Sequence, residues 1–80
     1  MKVEIDPGLL KEIRKLDRGL KERFYKAIER LVRNPDVGKP LQYDFKGCRR
    51  MRIDPFRIVY KVKEDTVFIV AFDHRGVVYK

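Results

Sequence analysis

The sequence predicts an α+β fold: an N-terminal strand, a two-helix hairpin, then an antiparallel β-meander with the helices packed on one sheet face. Three observations lead there. Apolar residues recur at helical spacing in the first half, they alternate and become β-branched or aromatic in the second, and Asp, Gly and Pro punctuate the boundaries. Eighty residues make a single domain, 1–80, too small for a two-lobed cleft or a separate cofactor domain.

Val3 and Ile5 alternate with Lys2 and Glu4, as in a short strand with one buried face. Asp6-Pro7 reads as a helix start, with Asp6 as cap and Pro7 at the first helical position. Leu9, Ile13 and Leu16 then follow at helical spacing, and after Asp17-Arg18-Gly19 the pattern resumes with Leu20, Phe24, Ala27, Ile28 and Leu31. Asn34-Pro35 ends the second helix, because the residue before proline avoids helical backbone. Gly38-Lys39-Pro40 reads as a polar connection. A first strand then places Cys48, Arg50 and Arg52 on one face and Met51 and Ile53 on the other, and Asp54-Pro55 turns the chain. The next strand places Phe56, Ile58, Tyr60 and Val62 on one face and Arg57, Val59 and Lys61 on the other. Lys63-Glu64-Asp65 makes a turn, Thr66 to Phe72 reads as a central strand, and Val77-Val78-Tyr79 as a last short one.

Composition narrows the function. With 44% apolar residues the chain folds, and it has no 18-residue apolar run to cross a membrane. Met1-Lys2-Val3-Glu4-Ile5 lacks the apolar core of a secretion signal and a single cysteine forms no internal disulfide, so a reducing, cytoplasmic location is expected. Cys48 and His74 are the only soft metal ligands, which argues against a zinc site, and the scattered glycines form no phosphate-cradling loop, so no cofactor is expected. Twenty Lys and Arg against twelve Asp and Glu give a net charge of +8, which points to a polyanionic partner. The excess lies in the second half: residues 1–45 carry 11 basic and 8 acidic side chains, residues 46–80 carry 9 and 4. A salt-bridged, solvated surface is the alternative reading of the charge.

If Met51 and Ile53 face the helices, Arg50 and Arg52 face outward about 7 Å apart, and Arg57 joins them if the next strand pairs in register. Guanidinium groups match phosphate oxygens bidentately. His74 is the one side chain whose ordinary pKa lies near neutrality and so is the candidate proton carrier. Arg75 suits a developing phosphorane charge or a salt bridge to Asp73 or Asp54, and Tyr79 suits base stacking or packing at the sheet edge. A Cys48–His74 nucleophilic pair, or a carboxylate pair drawn from Asp54, Asp65 and Asp73, has weaker support.

Gly47-Cys48-Arg49-Arg50-Met51-Arg52-Ile53, Phe56-Arg57-Ile58-Val59-Tyr60 and His74-Arg75-Gly76-Val77-Val78-Tyr79, after a helical hairpin ending in Asn34-Pro35 and a Lys39-Pro40-Leu41 segment, resemble the RelE/ParE superfamily of toxin–antitoxin toxins, in particular its RelE branch. The resemblance covers nearly the whole chain. It implies a ribosome-dependent messenger-RNA endonuclease, in which the substrate's 2′-hydroxyl attacks the adjacent phosphate, silenced by a RelB-like acidic antitoxin. On that resemblance Arg50 and Arg52 fall near the scissile phosphate, and Lys46 and Arg49 join them as RNA-binding residues. Arg57 and Arg75 would stabilise charge or protonate the leaving group, with Tyr79 orienting the nucleotide. Where some relatives carry lysines this chain has Arg50 and Arg52, which stay protonated and make poor bases, so His74 or electrostatic alignment must carry the chemistry. The chain ends at Lys80, without the C-terminal helix of some relatives, so an open cationic face is expected. Two alternatives remain: a ParE-like, non-catalytic inhibitor of DNA gyrase, and a basic RNA-binding module.

Overall fold

The computed structural model describes residues 1–74. Lys2–Ile5 form β1, Pro7–Arg14 α1, Arg18–Arg33 α2, Lys39–Pro40 β2, Arg49–Ile53 β3, Phe56–Lys63 β4 and Thr66–His74 β5. The strands make one sheet in the order β1-β5-β4-β3-β2, with β1 parallel to β5 and every other pair antiparallel. The expected strand at Val77-Val78-Tyr79 lies outside the described residues.

The first helix begins where the sequence places it, whereas α2 starts at Arg18, inside the segment read as the turn before Leu20. The Asp6 carboxylate accepts from the amides of Gly8 and Leu9 at 3.0 and 3.3 Å, and Pro7 occupies the first turn. Asp17 caps α2 through the Leu20 amide at 2.9 Å, and Asn34 closes it. Each cap satisfies an amide that the helix cannot satisfy itself. Ile13 of α1 and Phe24, Ala27 and Leu31 of α2 pack on Met51, Ile53, Ile58, Tyr60, Val67, Ile69 and Phe72 of the sheet. Phe72 stacks on Phe56 at 4.8 Å between centroids and meets Phe24 edge-on at 5.6 Å. Arg23 of α2 donates to the Asp54 carbonyl at 2.7 Å, tying the helix to the β3–β4 turn.

One expectation is corrected. Lys39-Pro40 is not merely a connection but an edge strand, registered with Arg50 and Arg49. Two residues carry no readable periodicity, and proline is tolerated at an edge because its missing N–H is not needed there. The expected central strand is β5, flanked by β1 and β4, and it carries a bulge: Tyr60 pairs with Ile69 but Val59 with Ala71, so Val70 is an extra residue that faces solvent. This bulge resets the phase and lets both Ile69 and Phe72, three apart, face the helices. Val62, placed by alternation on the face of Phe56, Ile58 and Tyr60, lies at the far end of β4 and is partly exposed.

Candidate nucleic-acid interface

β2 covers only Arg49 and Arg50 of β3, so the outer edge of β3 beyond Arg50 has no strand partner among the described residues. A concavity of about 380 Å³ opens there, lined by Arg30, Val37, Gly38, Lys39, Arg50, Met51, Arg52 and Arg57. Five of these eight are cations and none is acidic.

Strand register puts like charges opposite one another. Arg52 faces Arg57 across β3–β4, and Lys39 faces Arg50 across β2–β3. Residues directly opposite on an antiparallel pair have Cβ atoms about 5 Å apart, and like charges at that distance destabilise the sheet. Arg52 has a carboxylate near, Asp54 Oδ1 at 3.9 Å from its Nε, but both side chains are more than half exposed and water weakens the pair. Arg57 is in backbone register with Asp73 on its other side. Two opposed cation pairs in one concavity suit an anion with several oxygens, since each guanidinium offers a planar fork of donors. A second concavity, about 500 Å³ between β1, α1 and β5, sets Lys61 against Glu4 and Asp6, and so has no comparable preference for anions.

Arg50, Arg52 and Arg57 therefore converge, while the other candidates do not all join them. Arg49 is on the helix-facing side, where Nη1 donates to the carbonyls of Gly38 at 2.8 Å and Asp36 at 3.3 Å, and Nη2 lies 3.7 Å from the Asp36 carboxylate. It holds β3 to the α2–β2 loop. Lys46 is exposed in the β2–β3 loop and does not line the concavity. His74 ends β5 in register with Phe56, with its backbone alone described, and Arg75 and Tyr79 lie outside the described residues. Cys48 and His74 sit at opposite ends of β3's length, because His74 registers through Phe56 with Ile53. That separation, about 17 Å along the strand, rules out a nucleophilic pair. Asp54 and Asp65 flank opposite ends of β4 and cannot act together. Among the described residues no group of three or more His, Cys, Asp or Glu could hold a metal ion, and no helix is long and apolar enough to cross a membrane. Sequence reasoning missed Arg30 and Lys39, which enter the cavity from α2 and β2.

A sequence model of the ParE toxin of type II toxin–antitoxin systems matches residues 3–79. The chain belongs to this toxin family. It is a type II toxin of the RelE/ParE superfamily, and its relatives include RelE-like members. An Escherichia coli protein named as a RelE-like toxin is 29% identical over 71 residues, covering 86% of this chain and 75% of that protein. The toxin–antitoxin complex RelBE2 of Mycobacterium tuberculosis contains a chain 28% identical, with a TM-score of 0.79 over 92% of this chain and 96% of that one. The isolated RelE toxin of E. coli, at 21% identity, shares the fold with a TM-score of 0.79 over 96% of this chain and 86% of its own. So does the archaeal RelE–RelB complex of Pyrococcus horikoshii, at 20% identity, 0.78, 96% and 97%.

Proposed function

We propose that this toxin is a messenger-RNA endonuclease that acts on the ribosome, in the cytoplasm, and is neutralised by a RelB-like acidic antitoxin. The convergence of Arg50, Arg52 and Arg57 in one concavity whose lining, among the described residues, carries no carboxylate is the observation that carries this reading. In the reaction the 2′-oxygen attacks the adjacent phosphorus, the bond to the 5′-oxygen breaks, and a 2′,3′-cyclic phosphate remains. The 2′-hydroxyl gives up a proton and the departing 5′-oxygen gains one. Between these events the phosphorus group carries extra negative charge, which fixed guanidinium groups stabilise without reorganising. None of the three arginines accepts a proton at working pH, so their work is alignment and charge stabilisation, and His74 is the proton carrier. RelB-type antitoxins accompany the toxins in the M. tuberculosis and P. horikoshii complexes, and an acidic partner suits a chain of net charge +8.

The test is a translating extract. Message should be cut only when ribosomes are present, and Arg57→Ala should slow cutting by about 10²–10³ with the fold retained. Intact message at high toxin concentration overturns the reading. The match to the ParE model over residues 3–79 favours a second one, inhibition of DNA gyrase by contact. Gyrase stalling that survives Arg50→Ala and Arg57→Ala would select it.

A further inference from the structure

We propose that Arg30 of α2 and Lys39 of β2, together with Arg50, form a second phosphate subsite that holds the phosphodiester next to the one being cut. This deepens the endonuclease reading and rests on it, with Arg52 and Arg57 left at the reacting phosphate and Arg50 aligning the strand through the neighbouring one.

The cavity has two ends along β3. At one, Arg52 and Arg57 stand opposite each other; two residues away, at the other, Lys39 stands opposite Arg50, with Arg30 reaching the same space from the last turn of α2. Two residues of strand separate the pairs by about 7 Å. Successive phosphates of a single strand are spaced more widely than the axial rise of about 3.4 Å in a stacked duplex strand, so an extended ribonucleotide can seat one phosphate at each pair. Among the described residues the side chains of Arg30, Lys39 and Arg50 make no hydrogen bond or ion pair. A cation in the last turn of a helix also favours the helix dipole, which accounts for Arg30 by itself. It does not account for Lys39 placed against Arg50, a like-charge pair that costs the sheet stability unless an anion lies between them. An acidic peptide would offer carboxylates to the same cations. The two cation pairs at strand spacing suit a repeating phosphodiester better, since each pair can take one phosphate group.

The experiment measures binding of the full chain to a short single-stranded RNA made uncleavable by 2′-O-methylation, across a range of salt concentrations. For every phosphate that the protein no longer neutralises, the slope of log affinity against log salt should diminish by about 0.7. Arg30→Gln with Lys39→Gln should lower that slope by this amount or more and weaken binding several-fold, and in the cleavage assay raise KM with kcat within twofold. Arg30→Lys with Lys39→Arg should restore the slope, which separates a missing charge from a damaged fold. Lys15→Gln, past the end of α1, should leave it unchanged. A slope that falls equally with Lys15→Gln, or that Arg30→Gln with Lys39→Gln leaves intact while binding of an acidic peptide weakens, overturns the subsite. If the slope shifts as expected but no RNA is cut by the unsubstituted toxin, the subsite stands and the endonuclease reading fails.

Discussion

The Tyr60 hydroxyl accepts a hydrogen bond from the Gly38 amide at 2.9 Å, and this bond fixes the segment that carries Lys39 into the cationic cavity. The same hydroxyl donates to the Pro35 carbonyl at 2.8 Å. Tyr60 is fully buried in the core, so the core itself positions the loop between α2 and β2. The approach is so close that a Cβ on residue 38 would lie 2.6 Å from the hydroxyl and 2.7 Å from the Arg50 carbonyl. Only glycine fits.

Tyr60→Phe should therefore destabilise the fold by about 1–3 kcal/mol, the cost of leaving a buried amide unsatisfied. The variant should also change the alkaline limb. Burial pushes the Tyr60 phenol above its ordinary value of 10.0, against the opposing pull of the Gly38 hydrogen bond and the Arg49 charge. A group raised in the folded state contributes in full below its unfolded value and loses that contribution as pH rises through the folded one. Denaturant unfolding from pH 7 to 11 should show wild-type stability falling more steeply than that of Tyr60→Phe above about pH 10. Parallel curves would contradict the burial argument.

Arg49 should behave as a structural residue. Arg49→Met removes its bonds to the Gly38 and Asp36 carbonyls and its ion pair with Asp36, while keeping an unbranched apolar stem. Stability should fall by about 1–2 kcal/mol, read by thermal unfolding. RNA affinity at fixed folded concentration should keep its salt dependence, in contrast to Arg50→Gln.

The different fates of neighbouring arginines mark what can be read from the sequence. Asp6 caps α1 and Asn34 ends α2 through bonds to residues close by in the chain, so local chemistry identifies them, whereas Asp17, which caps α2 just as locally, reads equally well as part of a turn. Alternation put Arg50 and Arg52 on one face with Met51 and Ile53 on the other, and register brought Arg57 beside them. The same alternation puts Arg49 on the Met51 side. Its grouping with the RNA-binding residues rests on the family resemblance rather than on the strand period. Arg30 and Lys39 had no such signal, because their meeting depends on how α2 crosses an edge strand of two residues. The β5 bulge was equally hidden, since in an almost continuous apolar run every phase looks buried.

Glu64 leaves the β4–β5 turn strained. Its φ of 55° lies in the left-handed region, which costs an ordinary residue about 1–2 kcal/mol and an asparagine less. Glu64→Asn should raise stability by about 0.5–1 kcal/mol, visible as a higher melting temperature, with RNA cleavage unchanged because the turn is at the far end of β4 from Arg57. A lower melting temperature would show that this turn draws more from the carboxylate than from its backbone.

Arg50→Gln should reverse its effect on stability with the anion present. Without a bound anion, removing one charge from the Lys39–Arg50 pair relieves repulsion, and the variant should be more stable than wild type by about 0.2–1 kcal/mol at low salt. With inorganic phosphate the order should invert. An anion that binds only the folded chain stabilises it by about 2.7 kcal/mol at one hundred times its Kd, and the variant has given up part of the site. Phosphate also stabilises proteins generally through exclusion from their surface, but that contribution is common to both proteins and cancels in their difference. Thermal unfolding of the pair in chloride and in phosphate at matched ionic strength gives the answer directly. Two melting curves shifting in parallel would mean that the opposed cations do not share an anion, and that the cavity is cationic for some other reason.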